Sequence, residues 1–173
     1  GIYACNGILF NHESPIRGET FVTKKIIQGL VKIKLGFQKK LFLGNLYSKR
    51  DWGHARDYVE AMWKMLQQKK PEDFVIGTGK TFTIKDFVNR AAKKIGFKLE
   101  WIGKGINEKG VNTENKKVIV ECRKRYFRPL EVDYLKGNAS KAKKLLNWYP
   151  KMTIDDLIEE MVAYEEENNN DKY

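Results

Sequence analysis

Residues 10–25, FNHESPIRGETFVTKK, set an amide, an imidazole, a carboxylate, an arginine and two lysines around Pro15. The side chains are those of an active-site wall, and the chemistry has to come from what accompanies them. In KRDWGHARDYVEA, residues 49–61, Arg50 follows an expected strand and loop, where its planar guanidinium can fork onto a phosphate as a lysine cannot. In YFRPLEVD, residues 126–133, Pro129 forces Arg128 into an extended conformation, and Glu131 follows three positions later. An arginine with a carboxylate suits a nucleotide diphosphate and its ribose hydroxyls. The same residues also make ordinary surface ion pairs, and residue types alone leave both readings open.

Bond-making motifs are missing. GTGKT at residues 77–81 ends like a phosphate-cradling loop, but Phe74 stands where that motif needs its first glycine, so a strand ending in a glycine turn is expected. His12 and Glu13 adjoin, yet Pro15 prevents the helix that a zinc-binding H-E-x-x-H needs, and His54 stands alone; no metal site is expected. No G-x-S-x-G elbow occurs, and no glycine follows GTG or GKG at the dinucleotide-loop offset. Cys5 and Cys122 lack C-x-x-C spacing, which indicates reduced thiols and a cytoplasmic setting.

The formal charge of +11 raises nucleic acid as a partner, but the lysines fall in scattered pairs without an aromatic-interleaved stripe. They read as solvated helix and loop faces, so no nucleic-acid partner is expected. No apolar run approaches the ~20 residues of a membrane span.

The elements that must position these residues alternate between strand and helix. GIYACNGILF reads as a buried opening strand, which suggests a chain that begins mid-fold. Val22, Ile26, Leu30 and Ile33 follow at helical spacing up to Gly36, and KKLFLGN gives a short strand. Asp57 and Glu60 suggest a capping box for a helix burying Val59, Met62, Trp63 and Leu66. DFVIGTG is a strand. Thr83 and Asp86 cap a stripe from Ile84 to Ile95 that ends at Gly96. KLEWIG and KVIVEC are further strands, a short helix covers residues 140–146, and Thr153 caps a last helix that frays in EEENNNDKY. The pattern predicts an α/β fold with largely parallel strands and some antiparallel pairing late in the chain.

CNGILFNHESPIRGETFVTKK, LGNLYSKRDWGHARDYVEAMW, PEDFVIGTGKTFTIKDFV, RYFRPLEVDYLKG and KAKKLLNWYPKMTIDDLIEEMV closely resemble the carboxy-terminal half of the GDP-mannose 4,6-dehydratase family. That family consists of extended short-chain dehydrogenase/reductases with an NADP-binding Rossmann core and a smaller lobe for the sugar nucleotide. The resemblance implies that His12 and Arg17 contact NADP, and that Asn11, Val22 and Lys25 line the GDP-mannose site. It also implies that Arg50 and Arg128 bind the diphosphate and that Glu131 meets the guanosine end. The implied reaction uses NADP as a recycled hydride carrier to give GDP-4-keto-6-deoxymannose and water.

The family's Y-x-x-x-K pair, its catalytic threonine and glutamate and its glycine-rich loop have no counterpart in residues 1–173. No catalytic residue is therefore assigned. The chain is expected to be a carboxy-terminal half, with the last Rossmann elements and the substrate lobe, inactive without an amino-terminal Rossmann half or a complementing subunit. The full enzyme is expected to be a homo-oligomer with no membrane partner. The alternatives are a related dehydratase or epimerase for another nucleotide sugar, a non-catalytic GDP-sugar-binding module, and, more remotely, a basic nucleic-acid-binding domain.

Overall fold

The computed structural model describes residues 1–127 and 130–170. In chain order they form β1 (Gly7–Leu9), β2 (Asn11–Glu13), α1 (Val22–Lys34), β3 (Leu41–Leu43), β4 (Lys49–Arg50), β5 (Trp52–His54), α2 (Ala55–Leu66), β6 (Phe74–Ile76) and β7 (Phe82–Thr83). Then follow α3 (Ile84–Ile95), β8 (Leu99–Ile102), β9 (Lys109–Asn112), β10 (Val118–Cys122), α4 (Ser140–Leu146) and α5 (Ile154–Asn170). Two compact units share these elements: residues 1–14, 49–82 and 134–157 make the first, and 15–48, 83–133 and the chain from 158 onward the second. Among the described residues no helix is long and apolar enough to cross a membrane.

In the first unit β1 runs parallel to β6 with Gly7 opposite Phe74 and Leu9 opposite Ile76, and β2 runs parallel to β5. Its core joins Tyr58, Ala61 and Met65 of α2, Phe74 and Ile76 of β6, and Ala142, Leu146 and Trp148 from α4 and the turn after it. Three expectations change here. The opening residues form a strand only from Gly7, and Ile8 is 56% exposed, on the strand face opposite Leu9, which packs against the core. His54, not Asp57, caps α2, its imidazole accepting from the Arg56 N–H. With α2 starting earlier, the inward face carries Tyr58, Ala61 and Met65, while Val59, Met62, Trp63 and Leu66 lie exposed.

The second unit is built on a four-stranded sheet in the order β3-β10-β9-β8, parallel between β3 and β10 and antiparallel thereafter. Helices α1 and α3 pack together, burying Ile26, Ile27, Leu30 and Val31 with Phe87, Val88, Ala91 and Ala92. Helix α3 follows its local signals completely. Thr83 and Asp86 exchange side-chain and backbone hydrogen bonds as a capping box, and Gly96 ends the helix at φ +102°, a left-handed geometry that a Cβ disfavours. The acidic tail is not a frayed end throughout: α5 continues to Asn170, and Glu165 is buried against Lys24 of α1. Lys24 itself is 4% exposed, an exception to the expectation of solvated lysine pairs.

Candidate functional site

The expected ligand residues fall in both units. In the first, Asn11 and His12 lie on β2, level with Trp52 and Gly53 of β5. Arg50 follows β3 and a loop, sits on β4, and is only 9% exposed, with its Nη1 donating to the Lys49 carbonyl at 2.9 Å. The three-residue strands β3 and β6 are apolar runs and legible, whereas β2, β4 and β5 are as short but polar or mixed, so no run announces them in the sequence.

His12 is held on two sides. Its Nδ1 lies 2.9 Å from the Phe10 carbonyl oxygen, which can only accept, so Nδ1 carries a proton, and in the singly protonated form of the ring Nε2 is then the acceptor. Its ring stacks on Tyr58 at 5.0 Å between centroids and 29° between planes. Tyr58 reaches that position because residue 53 is glycine: a Cβ there would stand 2.4 Å from Tyr58 Cε2. Burial, with the negative charges of Asp51, Asp57 and Glu13 adding to it, pushes the Tyr58 phenol well above its ordinary pKa. Its hydroxyl finds no hydrogen-bond partner among the described residues.

The phosphate-loop lookalike is filled from within. Asp51, fully buried, accepts from the Thr78 N–H at 2.9 Å, the Thr78 hydroxyl at 2.5 Å, the Gly79 N–H at 2.8 Å and the Gly137 N–H at 3.0 Å. An internal carboxylate thus engages the amides that a phosphate would need, which gives the missing glycine of the motif a structural counterpart.

In the second unit Arg17 lies over the Phe21 ring at 3.5 Å, and Val22 and Lys25 share a face at the start of α1. Lys25 extends over the Tyr126 ring at 3.7 Å, and burial holds its pKa below the usual lysine value. It borders a cavity of 330 Å³ lined also by Gln28, Lys32, Gln38, Lys40 and Tyr126. Lys40 pairs with Glu121 at 2.8 Å. Tyr126 opens the YFRPLEVD segment without being singled out there, and Lys32 belongs to no motif, since only the folded chain brings the turn after β10 beside Lys25 and Lys32 of α1. Glu131 is partly buried, and Arg128 lies outside the described residues. No group of three or more His, Cys, Asp or Glu among the described residues could hold a metal.

The α/β fold is shared with solved structures that match nearly the whole of this chain. RMD from Pseudomonas aeruginosa, solved with NADPH, superposes with a TM-score of 0.75 at 15% identity, over 95% of this chain and 48% of that one. A dTDP-glucose 4,6-dehydratase from Bacillus anthracis, in complex with NAD, gives 0.73 at 21% identity over 96% and 45%. The model of one family, described as GDP-mannose 4,6 dehydratase, matches residues 1–161. The chain belongs to that family. A GDP-mannose 4,6 dehydratase of Dictyostelium discoideum is 54% identical over 99% of this chain and 49% of its own length, and one of Homo sapiens is 53% identical over 93% and 43%. The chain therefore spans about half the length of the curated relatives it matches.

Proposed function

We propose that the chain supplies the sugar-nucleotide-binding part of an NADP-dependent GDP-mannose 4,6-dehydratase, a lyase forming GDP-4-keto-6-deoxymannose and water from GDP-mannose. The observation that carries this reading is the family match over residues 1–161, a span containing every assigned ligand residue. His12 and Arg17 bind the cofactor, and the accepting Nε2 of His12 suits the amide donor of a nicotinamide. Asn11, Val22 and Lys25 line the GDP-mannose site. Arg50 and Arg128 hold the diphosphate by charge-assisted hydrogen bonds, and Glu131 meets the guanosine end. The tilt of charge around the Lys25 cavity supports an anionic ligand there.

NADP, when bound, supplies reversible hydride acceptance; the chain's own residues bind and orient. The residues that move protons at the sugar belong to a Rossmann half, carried in the same longer polypeptide or by a complementing subunit, in a cytoplasmic homo-oligomer.

Titration calorimetry of the chain with GDP-mannose tests the reading. Arg50→Ala is expected to weaken binding by ~1.5–3 kcal/mol, the range for hydrogen bonds to charged groups. UDP-glucose is expected to bind more weakly than GDP-mannose. Unchanged affinity in folded Arg50→Ala and Lys25→Met variants, or no preference between the two nucleotide sugars, would overturn it.

A further inference from the structure

His12 and Gly53 are register partners on β2 and β5. Register neighbours in a sheet carry their side chains side by side on one face, and a glycine leaves its place there open. The Tyr58 ring of α2 fills that place, stacked on the imidazole. The fit excludes any side chain at residue 53: a Cβ would stand 2.4 Å from Tyr58 Cε2, and 3.0 Å from both the Tyr58 hydroxyl oxygen and the Thr78 methyl carbon.

Tyr58 is itself firmly held. It is fully buried, with the Trp148 ring edge-to-face at 6.1 Å between centroids and 82° between planes. Trp148 Nε1 donates to the Asp57 carbonyl at 2.7 Å, which ties that second ring to the first turn of α2. His12, by contrast, is only half-buried. A rigid platform thus carries an accessible imidazole.

An imidazole needs such support to present one chosen nitrogen. Its χ2 torsion is broad and two-fold, so the backbone alone does not decide where each ring atom points. The Nδ1–H bond to the Phe10 carbonyl selects one of the two orientations, and the Tyr58 face keeps the ring in the plane that this bond requires. We infer that Tyr58 is a positioning residue: its stack on His12 fixes the Nδ1–H tautomer and leaves Nε2 as the accepting nitrogen, and Gly53 is the residue that admits it. That Nε2 then meets a nicotinamide amide rests on the proposed function. Stacking needs only the ring, and the Tyr58 hydroxyl has no hydrogen-bond partner among the described residues, so a phenylalanine should serve equally.

The test is nitrogen and proton NMR of the full chain at pH ~8.5, above the ordinary imidazole pKa, where each ring carries one proton. The two histidines control for each other. His12 is expected as the Nδ1–H form with its carbon-bound ring protons moved upfield by the Tyr58 face. His54, whose Nδ1 accepts from the Arg56 N–H at 3.1 Å, is expected as the Nε2–H form. Tyr58→Phe should keep both signatures. Tyr58→Leu and, acting from the strand, Gly53→Ala should abolish the upfield shift and mix the His12 tautomers, while His54 keeps its own. The unaltered chain decides the matter even where a variant fails to fold, since an Nε2–H His12 or unshifted ring protons there overturn the inference. So does a folded Tyr58→Leu chain whose His12 signals match the native ones. In a complete dehydratase containing this chain, Tyr58→Leu should weaken NADP binding roughly two- to tenfold, the scale of one hydrogen bond, and Tyr58→Phe should restore it. The expected NMR signatures with NADP affinity unmoved keep Tyr58 as the positioning residue and remove His12 from the cofactor site. Weakened NADP binding with unchanged His12 signals does the reverse.

Discussion

The two units bury carboxylates for different ends. In the first, Asp51 gathers N–H groups from residues 78, 79 and 137, and Asp57 Oδ2 accepts from the Lys151 and Met152 N–H groups at 2.9 and 3.0 Å. The backbone carbonyl of Asp57 also accepts from Trp148 Nε1 at 2.7 Å. In the second, Glu165 meets Lys24, whose ammonium also donates to the Pro15 carbonyl, and Glu108 takes Lys85 at 2.5 Å with the Tyr47 hydroxyl at 2.9 Å. The first arrangement shapes loops, because several directional donors converge on one anion. The second ties helix to helix, or helix to the turn before β9, by charge, and it hides cations that composition alone would place on the surface. Each arrangement therefore has its own way of failing.

The sharpest separation is expected from Asp51→Ala, which strands the Thr78, Gly79 and Gly137 donors together and should cost ~5 kcal/mol in urea unfolding, at 1–3 per buried unsatisfied group. No single compensating change should restore it. Glu165→Leu should cost ~3 kcal/mol by leaving Lys24 charged and buried, yet the double variant Lys24→Met with Glu165→Leu should recover most of that loss. A double variant as unstable as the single one would break the contrast between the units.

Smaller effects probe whether burial, rather than bond type, sets the scale. The exposed capping box of α3 contains the same carboxylate-to-backbone bond, from the Thr83 N–H to Asp86, and Asp86→Ala should cost only ~1 kcal/mol in the same assay. Smallest is the exposed Asp73, whose carboxyl is held below its ordinary pKa by hydrogen bonds from the Asn6 N–H and side-chain amide. A carboxyl with a lowered folded-state pKa adds stability above its unfolded pKa and loses it as pH falls through the folded value. The melting temperatures of the native chain and Asp73→Asn should thus differ at neutral pH and converge only once the pH has fallen through the folded-state value, which lies under the ordinary aspartate one. A gap that persists in acid would remove this carboxylate from the comparison.

How far the sequence could be read follows the same division between local and distant causes. Helix α3 was legible end to end because Thr83, Asp86 and Gly96 act within the helix they bound. The α2 reading failed although its pattern looked similar: Asp57 serves residues 151 and 152 instead of its own helix, and apolar residues occupy both faces, so periodicity could not tell the core side from the outer one. GTGKT lacks a glycine of the phosphate-loop motif, and the group that meets its amides, Asp51, lies 27 residues before Thr78, where no motif announces it. Of the candidate site, the family resemblance supplied residues and roles, while the Tyr58 platform under His12 and the Tyr126 ring under Lys25 required the folded chain.

The Asp51 cluster also bears on the order in which a growing chain can close. Gly137 lies 86 residues after the carboxylate it binds, and residues 78 and 79 lie between. During synthesis the chain emerges from its amino end, and contacts so widely separated in sequence must wait for their later member. Although β1 and β2 precede the other described strands of this stretch, the turn at residues 77–79 cannot be fully locked until residue 137 has left the ribosome. The second unit's segments 15–48 and 83–133 are by then already out, so the unit that opens this stretch of chain is completed among the last.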